Sequence, residues 1–144
     1  QNPRIFQEKK YEVRKAVTSK HIIIIGGGIA GMECALQLEK RGHIVDVYEI
    51  TAQLGGTFRL GAKHSFKSRN MKLIKWYERE ILNSSVTVHL NTEINDLKKV
   101  QTDEIIIATG AIPRENKFKG NGSAINVEDC LKGTVQMGNS VAVI

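Results

Sequence analysis

Short apolar runs at regular intervals predict that this chain is built around a buried sheet. The segment 21–25 contains four consecutive isoleucines, and 104–108 is a second run of the same kind. Continuous aliphatic runs of this length are typical of parallel strands, which are buried on both faces. We interpret 44–48 and 86–90 as two more strands and expect a further strand to begin at 141–144.

Helical periodicity separates these strands. The segment 29–40 brings Met32 and Leu36 to one side, as an amphipathic helix requires. The segment 69–82 repeats apolar residues at the same spacing and carries lysines and arginines on its other side. A short helix is predicted at 126–131, and the basic stretch before the 69–82 helix is predicted to be a loop.

The alternation of strands and helices predicts the fold class. We expect an α/β fold, a Rossmann-like three-layer sandwich with a central parallel sheet. The connection rules for such sheets predict that the third, second and first strands lie side by side in that order. The strand at 104–108 then follows on the far side of the first strand, and helices are expected on both faces.

A glycine-rich turn joins the first strand to the first helix. Gly26, Gly28 and Gly31 have the spacing G-x-G-x-x-G, which in this strand–turn–helix context indicates a dinucleotide site. Gly26 allows the tight turn, Gly28 lets backbone approach a pyrophosphate, and Gly31 lets helix and strand pack closely. The helix N-terminus offers N–H groups and partial positive charge to phosphates. The alternative is a glycine-rich turn that binds nothing.

An acidic residue follows at the expected place. Glu49 ends the second predicted strand, 18 positions after Gly31. A carboxylate there accepts hydrogen bonds from a ribose diol and repels a 2′-phosphate, so NADP is disfavoured at this site. The alternative is an ordinary surface glutamate.

Further candidate residues lie where other predicted elements end. The paired glycines of the segment 54–56 permit a second close approach of backbone. Arg59 is near enough to reach a phosphate or the edge of a flavin, or it is a surface arginine. Ile94 follows the third strand, where its backbone would face an adenine, and the small residues at 108–110 would lie over the pyrophosphate.

The composition narrows the class of protein. The chain has 144 residues, 41% of them hydrophobic and 25% charged, as in an ordinary globular domain. Its apolar runs are far shorter than the ~18 residues of a membrane span, and we recognise no signal peptide and no nucleic-acid motif. We therefore expect a cytoplasmic protein without membrane or nucleic-acid partners. Cys34 and Cys130 form no metal motif, and no catalytic residue is assigned.

Together these motifs resemble a known family. GGGIAGMECA, LGG at 54–56 and ATG at 108–110, with Glu49, resemble the two-dinucleotide-binding flavoproteins, which include thioredoxin and ferredoxin reductases and glutamate synthase small subunits. The phrases RGHIVDVYE, QLGGTFRLGAK and EIIIATGAIPR resemble in particular the FAD domain of old yellow enzyme-like fused reductases. Examples of these are 2-enoate reductase, 2,4-dienoyl-CoA reductase and trimethylamine dehydrogenase.

The resemblance implies an NAD(P)H-dependent flavin oxidoreductase that reduces activated C=C bonds. Such enzymes join a TIM barrel, which carries FMN and a 4Fe–4S cluster, to a domain that binds FAD and NAD(P)H. On this interpretation the chain is a fragment that is inactive alone, and the missing barrel and NAD(P)H domain are its partners. Residues 1–19 are a lead-in, 20–140 an incomplete FAD-binding domain for the ADP moiety, and 141–144 the start of a truncated NAD(P)H subdomain.

Two other interpretations stay open. The chain is also compatible with a ferredoxin- or glutamate synthase-type FAD-dependent reductase domain. It is compatible as well with a non-catalytic module that holds ADP.

Carried over position by position, the resemblance implies contacts along the whole ADP moiety. Glu49 would hold the ribose, and Ala30 and Met32 would lend backbone N–H groups from the first helical turn. Thr57 stands where many relatives have Gln, so no contact to the flavin ring is inferred. The expected cofactor-binding residues are Gly26, Gly27, Gly28, Ile29, Ala30, Gly31, Met32, Tyr48, Glu49, Ile50, Leu54, Gly55, Gly56, Arg59, Ile94, Ala108, Thr109 and Gly110.

Overall fold

A four-stranded parallel sheet forms the centre of the computed structural model, which describes residues 5–112 and 124–141. The strands lie in the order β3-β2-β1-β4, as predicted, and every neighbouring pair is parallel. The predicted α/β fold is therefore confirmed. The strands are β1 (His21–Ile25), β2 (Ile44–Tyr48), β3 (Thr87–His89) and β4 (Glu104–Ile107).

Four α-helices accompany the sheet in the described ranges. They are α1 (Ile29–Lys40), α2 (Gly56–Gly61), α3 (Ser68–Leu82) and α4 (Val127–Lys132), with single 3₁₀ turns at Ser65–Lys67 and Leu97–Lys99. The three predicted helices are present within one residue of their expected bounds. α2 was not predicted, because a six-residue helix that begins and ends with glycine has no apolar period to read.

The core lies on one face of the sheet. Ile24 of β1 and Val47 of β2 are paired in register and point the same way, toward α1. Met32 of α1 is fully buried against them, and Tyr77 and Ile81 of α3 complete the cluster. Each fully buried aliphatic side chain contributes about 1.5–3 kcal/mol, so this cluster fixes the position of α1, and with it the glycine-rich turn, on the sheet.

The opposite face of the sheet is more polar. Asp46 of β2 lies between two histidines of the neighbouring strands, 2.5 Å from His21 Nε2 and 3.0 Å from His89 Nε2. Tyr48 stacks on the His89 ring with centroids 4.3 Å apart. Helices were expected on both faces. In the part of the chain that the structure describes, α1 packs on the first face and α3 packs on α1.

The Asp46 carboxyl group makes the stability of the fold depend on pH in the acidic range. Burial alone would raise the pKa of this carboxyl group, but hydrogen bonds with His21 and His89, and their charges, together hold its pKa below the usual value. Its stabilisation is therefore complete above the unfolded pKa of about 4 and is lost as the pH falls through the folded value. We expect the free energy of unfolding, from urea denaturation, to fall below about pH 4 and to fall less steeply in Asp46→Asn. An equally steep fall in both proteins would contradict this prediction.

The ends of the described ranges carry little regular structure. Residues 5–19, which belong to the predicted lead-in, form turns and bends. Of the strand expected at 141–144, Val141 has no regular secondary structure, and 142–144 lie outside the described residues. Within the described ranges, no helix is both long enough and apolar enough to cross a bilayer.

Candidate functional site

Two glycines of the turn between β1 and α1 have no room for a side chain. Gly26 has a φ of +110°, and its N–H donates to the Tyr48 carbonyl at 2.8 Å. A Cβ on Gly26 would lie 2.4 Å from the Ala108 carbonyl oxygen. A Cβ on Gly31 would lie 1.9 Å from the Gly26 carbonyl oxygen. Both glycines therefore allow α1 to start directly against the ends of β1 and β4.

Gly28 differs from these two glycines. A Cβ built on Gly28 meets no atom within 4 Å. Its backbone is extended, and it occupies the N-cap of α1 without a capping side chain. The N–H groups in the first turn of a helix lack partners within the helix, and the first turn of α1 begins beside this open space. An open space at a helix N-terminus suits an anion such as a pyrophosphate, and the role expected of Gly28 stays a prediction.

Glu49 ties the turn to the end of β2. Only 6% of the Glu49 surface is exposed, so the alternative interpretation, an ordinary surface glutamate, is wrong. Oε2 accepts from the Gly27 N–H at 2.8 Å, and Oε1 accepts from the N–H and hydroxyl of Thr51 at 2.8 and 2.6 Å. A carboxylate has about four acceptor positions, so these three bonds leave about one for a ribose hydroxyl.

The segment 54–56 forms the second wall of the site. The Gly55 N–H donates to the Gly27 carbonyl at 2.8 Å, and Gly28 and Gly55 form a parallel bridge. Gly55 has a φ of +108°, which favours glycine. The Leu54 side chain lies so close to Gly27 that a Cβ there would be 2.5 Å from Leu54 Cδ2. Two glycine segments that are separate in sequence thus meet beside the open space at Gly28, and we call this place the glycine cleft.

Arg59 makes two side-chain hydrogen bonds to other protein groups. Its Nε donates to the Leu54 carbonyl at 2.8 Å, and its Nη2 donates to Glu78 Oε1 on α3. The side chain is 24% exposed. The structure therefore brings Arg59 to the glycine cleft through the segment 54–56, while its predicted contact with a phosphate or a flavin stays a prediction.

The other predicted residues gather at the same edge of the sheet, because the carboxyl ends of parallel strands meet there. The Ala108 N–H donates to the Ile25 carbonyl at 2.7 Å, and the next two residues, 109 and 110, are exposed. Ile94 is half-buried in the segment after β3, which is anchored by the Thr92 N–H to the Glu49 carbonyl at 2.9 Å. Ile50 is 60% exposed.

Two predicted residues have other surroundings than expected. Met32 is fully buried in the core, and its N–H already donates to the Gly28 carbonyl within α1 at 2.9 Å. It therefore supports the helix instead of lending a free donor. Tyr48 shapes the site through its backbone carbonyl, which accepts from Gly26, while its ring stacks on His89 across the polar face.

Sequence reasoning missed two residues of this arrangement. Thr51 gives two hydrogen bonds to Glu49, and a threonine two positions after an acid was the available signal, since such side chains readily bond nearby groups. Glu78 holds Arg59 from a different helix, and no sequence spacing predicts that pair. In the described ranges, no cluster of three or more His, Cys, Asp or Glu side chains is arranged to hold a metal ion.

Comparisons with known proteins agree with this geometry. A family model described as pyridine nucleotide-disulphide oxidoreductase matches residues 20–144. Cinnamate reductase from Clostridium sporogenes is 35% identical to this chain, over 99% of this chain and 22% of its own length. The multifunctional alkene reductase/demethylase OYE from Caballeronia cordobensis is 32% identical, over 92% of this chain and 20% of its own length.

A solved structure of an oxidoreductase also matches this chain along most of its length. The 2-naphthoyl-CoA reductase in complex with 2-naphthoyl-CoA matches with a TM-score of 0.88 and 33% identity, over 96% of this chain and 22% of that one. The chain thus spans about a fifth of the length of these relatives. The chain belongs to the pyridine nucleotide-disulphide oxidoreductase family, as an FAD/NAD-binding domain like those of flavoprotein oxidoreductases.

Proposed function

We propose that the glycine cleft binds the ADP moiety of FAD, with the pyrophosphate over Gly28. The observation that carries this proposal is the empty space beside Gly28, at the uncapped N-terminus of α1 and against the bridge to Gly55. A backbone without a side chain at that point lets phosphate oxygens reach the N–H groups of the first turn.

The remaining residues would hold the two ends of the ADP moiety. Glu49 has about one acceptor position left, and it would take a ribose hydroxyl there while its other bonds hold the turn in place. Residues 108–110 would close over the pyrophosphate from the end of β4. The backbone near Ile94 would face the adenine from the end of β3.

For the whole protein, we infer an NAD(P)H-dependent flavin oxidoreductase that reduces activated C=C bonds. Three relatives are a cinnamate reductase, an alkene reductase/demethylase and a 2-naphthoyl-CoA reductase, and each is about five times longer than this chain. A bound FAD would supply hydride and single-electron chemistry, while the residues described above bind and orient it. Other domains would carry FMN, a 4Fe–4S cluster and the NAD(P)H site.

A titration of the purified chain with FAD, ADP, NAD and FMN tests the binding proposal. FAD and ADP are expected to release or absorb heat on binding in calorimetry, with amide shifts centred on residues 26–31 and on Glu49. FMN lacks the ADP moiety and is the matched control, so it is expected to show neither. Absence of binding by FAD and ADP at millimolar concentration would overturn the proposal. Binding of ADP without FAD would instead favour an ADP-binding module.

A further inference from the structure

Arg59 connects the glycine cleft to α3. Its guanidinium donates at one edge to the Leu54 carbonyl, at 2.8 Å, and at another to the Glu78 carboxylate. The next residue after Leu54 is Gly55, whose N–H donates to the Gly27 carbonyl at 2.8 Å. A continuous path of hydrogen bonds therefore runs from α3 to the turn that precedes α1.

The second wall is also supported by packing, since the buried Leu54 side chain belongs to the core cluster. A Cβ on Gly55 would lie 3.2 Å from Ile74 Cγ2, so α3 also backs the wall by packing. Gly55 and Gly56 both have positive φ and carry no side chain of their own. Because glycines give the backbone wide freedom, their conformation must be held from outside, and the Leu54 carbonyl is the point where Arg59 does so.

The chemistry of the pair suits positioning. A guanidinium is planar and donates in fixed directions, so it can bond a carbonyl and a carboxylate at once, which a lysine ammonium does less well. A half-exposed ion pair adds little to global stability. What Arg59 and Glu78 fix is the distance of the segment 54–56 from the turn at Gly28.

We infer that Arg59, held by Glu78, is a positioning residue that sets the second wall of the glycine cleft, and that it does not contact the phosphates. This inference rests on the proposed function, in which that cleft binds the ADP moiety of FAD. It is an alternative to the predicted contact of Arg59 with a phosphate or a flavin, because two of the five guanidinium N–H donors bond protein groups and hold the side chain between Leu54 and α3.

The variant Glu78→Gln separates the two roles by the sign of its effect. If Arg59 positions the wall, loss of the Glu78 charge weakens the bond that holds the Arg59 guanidinium, and FAD binds about 5- to 10-fold more weakly in calorimetry. If Arg59 instead reaches the phosphates, release from Glu78 strengthens that contact and FAD binds more tightly. The matched control is Glu80→Gln, on the same helix, where the carboxylate bonds Arg79; it is expected to leave the affinity unchanged.

Two further measurements complete the test. We expect Arg59→Ala to lose about as much FAD affinity as Glu78→Gln. The double variant, Arg59→Ala with Glu78→Gln, should lose no more than either single variant, since the effects of residues that act as one unit do not add. The salt dependence of FAD binding should stay unchanged in Arg59→Ala, because no phosphate contact is lost. If Arg59→Ala fails to fold, Glu78→Gln decides the question alone.

The outcomes also separate the inference from the proposed function. A wild-type chain that binds neither FAD nor ADP overturns the proposed function and the inference with it. A wild-type chain that binds FAD while Glu78→Gln binds it equally well, or more tightly, overturns only the inference.

Discussion

Gly28→Ala is expected to abolish most dinucleotide binding while leaving the fold intact. The added methyl group meets no protein atom within 4 Å, and the extended backbone of Gly28 suits alanine. Alanine is a weaker N-cap than glycine but restricts the unfolded chain more, so stability should change by less than about 1 kcal/mol. In the proposed complex the methyl group occupies the place of the pyrophosphate. Crowding of this kind costs about 3 kcal/mol, which corresponds to about 100-fold weaker binding of FAD and ADP.

Calorimetry and thermal unfolding of the same Gly28→Ala sample check both halves of this prediction. The matched control is Gly61→Ala, since a Cβ on Gly61 also meets no atom within 4 Å but lies at the far end of α2. It should bind FAD like the wild type. Wild-type affinity in Gly28→Ala would show that the pyrophosphate does not lie over Gly28, and a lost fold would show that the space is needed for packing.

Gly31→Ala is expected to have the opposite profile, a large loss of stability. Its Cβ would lie 1.9 Å from the Gly26 carbonyl oxygen, and both partners belong to backbone that the core holds in place. Relief requires α1 to move away from β1, which disturbs the packing of Met32 and Ile24. We expect a loss of about 3 kcal/mol or more, and therefore a fall in Tm of about 10 °C, measured by circular dichroism.

The control for this second prediction is again Gly61→Ala. Alanine is the better helix former, and at a site without steric conflict it should raise stability by up to about 1 kcal/mol. A Gly31→Ala protein as stable as the wild type would contradict the close packing of α1 on β1. The two variants and their shared control together separate the binding role of Gly28 from the packing role of Gly31.

The fold could be predicted because its signals are local. Four isoleucines in β1 and the glycine spacing after them have one common physical solution, a buried parallel strand that turns into a helix. The strand order followed from connection rules. α2 was missed because its sequence, GTFRLG, has no period and owes its shape to Gly55 and to the neighbouring α3.

For the candidate site, the sequence predicts which segments come together more fully than it predicts their contacts. Glycine spacing located the turn, but the sequence does not show that the Glu49 carboxylate accepts three hydrogen bonds from Gly27 and Thr51. The pairing of Arg59 with Glu78 depends on how two helices meet, 19 positions apart, which only tertiary packing decides. The N–H of Met32 was expected to be free because the exact first bond of a helix cannot be read from sequence.

The position of β4 beside β1 has a consequence for how the protein is made. The end of β4 lies against the turn at Gly26. The two strands are far apart in sequence: the His21 N–H donates to the carboxylate of Asp103, which is 82 positions away. At synthesis rates of about 5–20 residues per second, the ribosome releases the glycine cleft seconds before it releases β4. Until then β1 is an edge strand with unpaired backbone groups, open to pairing with other nascent chains. The turn at Gly26 is therefore completed only when β4 has paired with β1, and we expect the interval before that pairing to be when the nascent chain is most prone to misassembly.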